Sequence, residues 1–206
     1  MLVAPNRDRN AERREATRRE ILAAAWAVAR ERGLAQLTLR EVALRVGMRA
    51  PSLYTHFASK NAIYDAMFAD AWTEYLGVAR SEDVARESSA RSALKVYAGS
   101  FFEFAVADLA RHQLMNQRTI PGFVPSPEAY GPAVEVLDLF RARIAGFGIT
   151  SAEDVDLCTA LIGGLVDAQL ANDPGGNRWG RLVDRAIDMF ADNLGLPPDH
   201  SDPRPH

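Results

Sequence analysis

The sequence predicts an all-α fold. Three observations carry the prediction. Apolar residues recur three and four apart through most of the 206 residues, and no stretch sustains period-two alternation with β-branched enrichment. The periodic stretches are also punctuated by helix stops such as Gly33, Gly47 and Gly195 and by helix starts such as Thr38 and Ser59.

The elements follow in order. Residues 7–14, rich in arginine, read as a frayed charged arm. A first helix spans Thr17 to Arg32, with Ile21, Leu22, Ala25, Val28 and Ala29 on one stripe and Gly33 as its stop. Thr38-Leu-Arg-Glu41 is a capping box: the Thr38 hydroxyl accepts from the backbone N–H of Glu41, whose carboxylate reaches back. The short helix it opens turns Leu39, Val42, Ala43 and Val46 inward and ends at Gly47. A third helix starts near Pro51, a residue suited to a first helical position because its missing N–H is not needed there. Ser59 opens a long helix carrying Ile63, Met67, Ala71 and Tyr75. An aromatic helical segment runs from Ser89 to Leu109, and the Pro/Gly-rich stretch 121–127 interrupts the chain. Glu128 to Ala145 is the next helix, with Val134, Leu137 and Ile144 as its inner face. Thr150 and Glu153 form another capping box that opens a helix to Ala171, and the last helix spans Trp179 to Leu194. The division is an arm and three-helix unit over 1–62, a larger helical bundle over 63–196 and a disordered tail over 197–206.

Composition is that of a globular chain, 48% hydrophobic and 25% charged, with a net charge of -3. The charge is unevenly placed. Residues 1–60 hold twelve Lys+Arg against six Asp+Glu, a balance of +6, and residues 61–206 a balance of -9. A basic first third joined to an acidic remainder suits a protein that meets a polyanion with one end only; solvated helix faces are the other reading. The start, MLVAPNRDRN, is no signal peptide, and no run approaches a membrane span. A soluble, cytoplasmic, bacterial protein, associated with the nucleoid when bound to DNA, is expected. The single Cys158 excludes an internal disulfide and reads as a small buried hydrophobe.

Two short helices joined by a tight glycine turn behind a longer helix form the helix-turn-helix pattern. In residues 50–57, APSLYTHF, Leu53 and Phe57 pack inward, while Ala50, Pro51, Ser52 and Thr55 look outward and are small enough for close approach to base edges. Arg40, on the preceding helix, is the long outward group placed to reach a guanine. Tyr54, His56, Thr38 and Lys60 are assigned to phosphates; Lys60 sits in a first helical turn, where backbone N–H groups also converge on an anion. Each has a structural reading beside it: Tyr54 as a core aromatic, His56 as a backbone-bonding group, Thr38 as a cap alone. Arg49 is a phosphate contact or solvated surface. The arginines 7, 9, 13, 14, 18 and 19, which alternate with acidic residues, are a minor-groove arm or a solvated face. Residues 33–60, with Gly33, Thr38, Val42-Ala43, Gly47, Leu53-Tyr54, His56-Phe57 and Lys60 in register, resemble the N-terminal domain of the TetR family of bacterial transcriptional regulators. The resemblance is close over about residues 15–75. It implies that the outward positions contact bases of double-stranded DNA at a palindromic, inverted-repeat operator, and that the chain is a homodimeric repressor with a ligand-binding and dimerisation domain.

For the acidic part, the resemblance implies dimerisation through the last two helices. Ala160, Gly163, Gly164 and Ala168 on the former and Leu182, Ala186, Met189 and Phe190 on the latter are the candidates, with intrachain core as their other role. It also implies an effector pocket among the middle helices, for a small, largely apolar molecule. Candidate walls are Trp72, Tyr75, Tyr97, Phe101, Phe104, Met115, Phe123 and Leu161, with His112, Gln113 and Asn116 as polar groups. Catalysis is not expected. The four histidines form no i, i+4 pair, and there is no P-loop, dinucleotide fingerprint or Gly-x-Ser-x-Gly, so neither metal nor cofactor is called for. Two other classes remain beside the regulator: a helical small-molecule-binding module, and an architectural DNA binder without effector control.

Overall fold

A computed structural model of the chain describes residues 9–81 and 89–199. Among these residues there are nine α-helices and no strand: α1 (Arg9–Arg32), α2 (Leu39–Arg45), α3 (Ala50–Leu53), α4 (Lys60–Ala79), α5 (Ala90–Val106), α6 (Leu109–Asn116), α7 (Pro127–Ala145), α8 (Ala152–Asn172) and α9 (Val183–Asn193). Six of them start on a side-chain cap of the kind that satisfies an orphan helix N–H: Thr38, Ser59, Ser89, Asp108, Ser126 and Ser151. No described helix is long and apolar enough to cross a membrane.

Several boundaries differ from those the sequence predicts. Helix α1 begins at Arg9 rather than Thr17, so the described part of the arm is helical; opposite charges three and four apart, as in Glu15 with Arg18 and Arg19, support an exposed helix that has no apolar stripe. Arg7 lies outside the described residues. The stretch from Ser89 does not close at Leu109. It breaks at Ala107-Asp108, and Asp108 caps a separate helix, α6, by accepting from the Arg111 N–H at 3.1 Å. Helix α8 is capped by Ser151, whose Oγ accepts from Asp154, one residue later than the Thr150 box; burial of Ile149 leaves Thr150 outside the helix. On α7 the inner face is Ala129, Val136, Phe140 and Ile144, whereas Val134 is exposed. In the Thr38 box only one half forms: Thr38 Oγ1 accepts from Glu41 N, but the Glu41 carboxylate pairs with Arg32 Nε at 2.9 Å.

Two cores organise these helices. The first draws on α1, α2, α3 and α4 and is closed by Ala110, Leu114 and Met115 of α6 and by Ala129 and Val136 of α7. The second joins α5, the distal half of α7, α8 and α9 around Leu94, Phe140, Cys158, Ile162 and Ile187. Helix α4 packs along α7, and the first core runs without a break past residue 62, so the division expected there is not a division in packing. The Trp26 indole N–H donates to Asp70 at 3.1 Å, tying α1 to α4. Residues 197–199, expected in the tail, are engaged: the Pro197 carbonyl accepts from buried Arg91, and Asp199 accepts from the Ser89 hydroxyl. The remainder of the expected tail, 200–206, lies outside the described residues.

Candidate nucleic-acid interface and internal cavity

The α2–α3 unit stands on a closed base. Val42, Ala43, Leu53 and Phe57 are all at or below 2% exposure, so the side chains between them are forced outward. The turn between the helices needs Gly47 at φ +68, a left-handed conformation that a Cβ would strain. The Met48 N–H then closes the turn onto the Ala43 carbonyl at 2.9 Å.

The outward face carries most of the residues expected there. Arg40, Arg49, Pro51, Ser52, Tyr54 and Thr55 are exposed, Tyr54 at 55%, which removes the core-aromatic reading for it. Ala50 differs: it is half-buried and packs against the first core. The Thr55 hydroxyl donates to the Ser52 carbonyl at 2.7 Å and keeps its acceptor sites outward. Thr38 is exposed at the start of α2 and serves as its cap. His56 is half-buried, and its buried Nδ1 has no hydrogen-bond partner among the described residues. Lys60 lies along the Tyr64 ring with Nζ 3.4 Å from the Ala35 carbonyl, and partial burial pulls its ammonium below the ordinary lysine range.

Two arginines counted with the arm have another place. Helix α3 is one turn long, and the carbonyls that follow it lack intrahelical partners. Arg14 donates to the Thr55 carbonyl at 3.3 Å and Arg18 to that of His56, with the Arg18 guanidinium 4.2 Å from the centre of the Phe57 ring. Helix α1 thus clamps the exit of the presented helix. The helical extension of α1 back to Arg9 was the part sequence reasoning missed, and the i, i+4 step from Arg14 to Arg18 was its available signal.

A cavity of about 600 Å³ opens between α4, α5, α6, α7 and α8. Trp72, Tyr97, Phe101, His112 and Asn116, all expected at a pocket, line it. The rings of Trp72 and Phe101 stack at 6.4 Å, and Tyr97 stacks on Phe140 at 3.9 Å. Met115 and Phe123 border a separate hollow of about 130 Å³. Tyr75, Phe104 and Leu161 line neither: Tyr75 is fully buried beside Ser100, Phe104 lies under Arg111, and Leu161 packs against the second core. Missed by sequence reasoning were Tyr130, Gln117, Asp156, Thr159 and Asp167. On α8 the lining positions 156, 159, 160, 163, 164 and 167 repeat at three and four, a stripe of small and acidic residues that was the legible signal.

That stripe includes Ala160, Gly163 and Gly164, which were expected at a dimer interface; they line the cavity, with Ala160 and Gly164 exposed and Gly163 half-buried. Of the other interface candidates, Met189 is 65% exposed, Ala168, Leu182 and Ala186 are half-buried, and Phe190 is taken into the second core at 5%. Buried His112 anchors the polar end of the cavity. Asn116 donates to its Nδ1 at 3.2 Å, so Nε2–H donates to Asp167 Oδ1 at 2.8 Å, and Gln117 donates to the same oxygen at 2.9 Å. Gln113, the remaining polar candidate, does not line it.

Helix α6 links cavity and base. Its cap Asp108 accepts from Arg30 Nε of α1 at 2.7 Å. Arg111, stacked 3.6 Å over Phe104, donates to Glu74 of α4 at 2.9 Å and to the Phe104 carbonyl at 2.6 Å. His112 and Asn116 face the cavity from the same helix.

Residues 21–67 match the bacterial regulatory proteins of the tetR family. An uncharacterized HTH-type transcriptional regulator of Mycobacterium tuberculosis is 43% identical over 58 residues, 28% of this chain and 27% of that protein's length. Among solved structures, a protein of unknown function from Rhodococcus sp. RHA1 superposes with a TM-score of 0.71 at 23% identity, over 88% of this chain and 95% of its own. The transcriptional regulator FadR from Bacillus subtilis, in complex with stearoyl-CoA, does so at 0.62 and 16% identity, over 84% and 96%. At these identities the structural likeness is one of fold.

Proposed function

Since residues 21–67 match the tetR family of bacterial regulatory proteins, we propose that the chain is a TetR-family, ligand-responsive repressor that binds an inverted-repeat operator as a homodimer and is released by a small, largely apolar effector. One observation carries the reading: a single short helix, α6, touches the wall of a 600 Å³ cavity and, at its start, the helices α1 and α4 that hold the helix-turn-helix. The α2–α3 face supplies the DNA end. Ser52, Thr55 and Arg40 meet base edges, and Tyr54, Thr38, Arg49, His56 and Lys60 meet phosphates. The Lys60 ammonium leaves the Ala35 carbonyl to do so.

An effector weakens DNA binding only to the extent that it prefers a conformation whose half-site spacing misfits the operator. A molecule seated against His112 and Asn116 displaces α6, and through Asp108–Arg30 and Arg111–Glu74 that displacement reaches α1 and α4. FadR in complex with stearoyl-CoA supports the general idea that this fold accommodates a ligand that carries a long apolar chain. The dimer is built on α8 and α9, where Leu157 and Met189 offer exposed apolar side chains.

The test is binding of purified protein to DNA fragments around its own coding region at several salt concentrations. Saturable binding to one palindromic fragment with a steep salt slope is the expected result; equal affinity for every fragment sinks the specific-regulator reading. Lys60→Ala should weaken binding on all sequences alike, whereas Thr55→Ala should cost about 1 kcal/mol and relax preference at one base position. Sedimentation of a chain ending before Thr150 should give monomers, and a persisting dimer places the interface elsewhere.

A further inference from the structure

The polar chemistry of the cavity is one-signed. Asp156 and Asp167 line it and, among the described residues, no lysine or arginine does. The two carboxylates are eleven residues apart on α8, which at 1.5 Å per residue sets them about 16 Å apart along the same face. Between them the opposite wall is aromatic, formed by Trp72, Tyr97, Phe101 and Tyr130. Each carboxylate keeps at least one oxygen unengaged among the described residues. Both donors to Asp167 sit on Oδ1, leaving Oδ2 without a partner among the described residues. The Asp156 side chain is exposed and likewise has no hydrogen bond or ion pair among them.

An anion entering this space meets like charge with no compensating donor of opposite sign. A neutral chain is accommodated by the rings but leaves both carboxylates facing the ligand unanswered. A cation satisfies both features, because aromatic faces carry the negative end of the ring quadrupole and attract an ammonium held within about 6 Å. We propose that the cavity selects an organic cation, an amine or quaternary ammonium carried on an apolar body, whose charged head pairs with Asp156 or with Asp167, one at a time, and whose π wall is the Trp72–Phe101 stack. This rests on the reading of the cavity as the effector site and sharpens the effector from apolar to cationic and amphipathic.

Calorimetric titration of the full chain with three probes that share a decyl tail, decyltrimethylammonium, decanol and decanoate, each below its micellar concentration, tests the inference. Decyltrimethylammonium should bind about tenfold more tightly than decanol, with decanoate weakest. Asp156→Asn, at a side chain that bonds nothing within the chain, should lower the cation's affinity severalfold, and the Asp156→Asn/Asp167→Asn pair should erase the preference while decanol still binds. A preference for decanol or decanoate, or a cation preference that survives in the double variant, overturns the cationic assignment. Gly163→Leu separates the two readings, since a Cβ at Gly163 meets nothing within 4 Å and a leucine there fills the cavity. If the probes bind alike in the native chain and all are lost in Gly163→Leu, the cavity reading stands and the cation falls. If no probe binds, or all bind undiminished in Gly163→Leu, both fall.

Discussion

Replacing Arg18 by alanine isolates the clamp that α1 places on the presented helix. Two interactions go: the guanidinium hydrogen bond to the His56 carbonyl and the stacking over Phe57 at 4.2 Å. A charge-assisted bond of this kind contributes about 1.5–3 kcal/mol net, and an accessible cation–π contact about 0.5–1 kcal/mol. Arg14 still holds the Thr55 carbonyl, so we expect a loss of about 2 kcal/mol, felt mainly by residues 54–57. The segment must be ordered to dock, so the same free energy should appear as a loss of DNA affinity of at most about thirtyfold, the limit in which the segment is mostly open in the variant. Hydrogen exchange at the His56 and Phe57 amides should accelerate by a similar factor, because their bonds to the Leu53 carbonyl open with the segment. The slope of affinity against salt should not change. A slope shallower by about 0.9 with exchange and stability unaltered would mean that Arg18 neutralises a phosphate, and the clamp would then be an error.

Gly47→Ala should cost about 1 kcal/mol and lower Tm by about 2–4 °C through backbone strain at φ +68 alone, as no atom lies within 4 Å of the added Cβ; calorimetry showing no shift contradicts the left-handed turn. Arg111→Met should cost about 2 kcal/mol in urea denaturation, whereas Glu74→Gln costs under about 1 kcal/mol, since Glu74 is 59% exposed and the stronger bond is to the Phe104 carbonyl; equal costs would reverse that ranking. Burial pushes the Cys158 thiol up to about 12, so a thiol reagent at pH 8 should leave the native chain unmodified and react only on denaturation. The linked stability is fully present below the ordinary thiol value of 9.0 and declines as pH rises through it, because the unfolded chain releases a proton the folded chain keeps. Burial raises Tyr64 and Tyr75 to about 12 with the same sign, so Cys158→Ala should remove the decline between about pH 9 and 10, where the thiol acts before the tyrosines, and lessen its slope from there to about 12.

The helix-turn-helix was legible because its signals are local. Thr38, Gly47, Pro51, Leu53 and Phe57 act through caps, a positive φ and a spacing of four, all of which operate within one or two turns. What escaped depends on chain that returns from elsewhere. His112 reads as one polar group among aromatics until α8 brings Asp167 to it across 55 residues. Ala160, Gly163 and Gly164 share the small size that both a helix contact and a cavity wall require, and only the position of α7 reveals the cavity they line. Glu41 had two donors to answer, the Thr38 amide and the Arg32 guanidinium, and the end of α1 brings Arg32 Nε to its carboxylate. Asp108 looked like part of a continuing helix because a cap and a helix interior differ by a single turn of backbone.

The uninterrupted first core bears on how such chains are recombined. A chimera joined at residue 62 would cut α4 three residues after its cap and part Ile21, Val28 and Leu53 from Tyr64, Met67 and Phe68, which fill the same interior. A foreign reading head grafted there would meet an α6 and α7 surface shaped for other side chains, and would expose apolar area rather than respond to a ligand. The transplantable unit is instead α1 through α4 together with the inward residues Ala110, Leu114, Met115, Ala129 and Val136 that cover it. On the proposed reading, a change of operator preference that spares the cavity belongs on the few outward positions of α2 and α3.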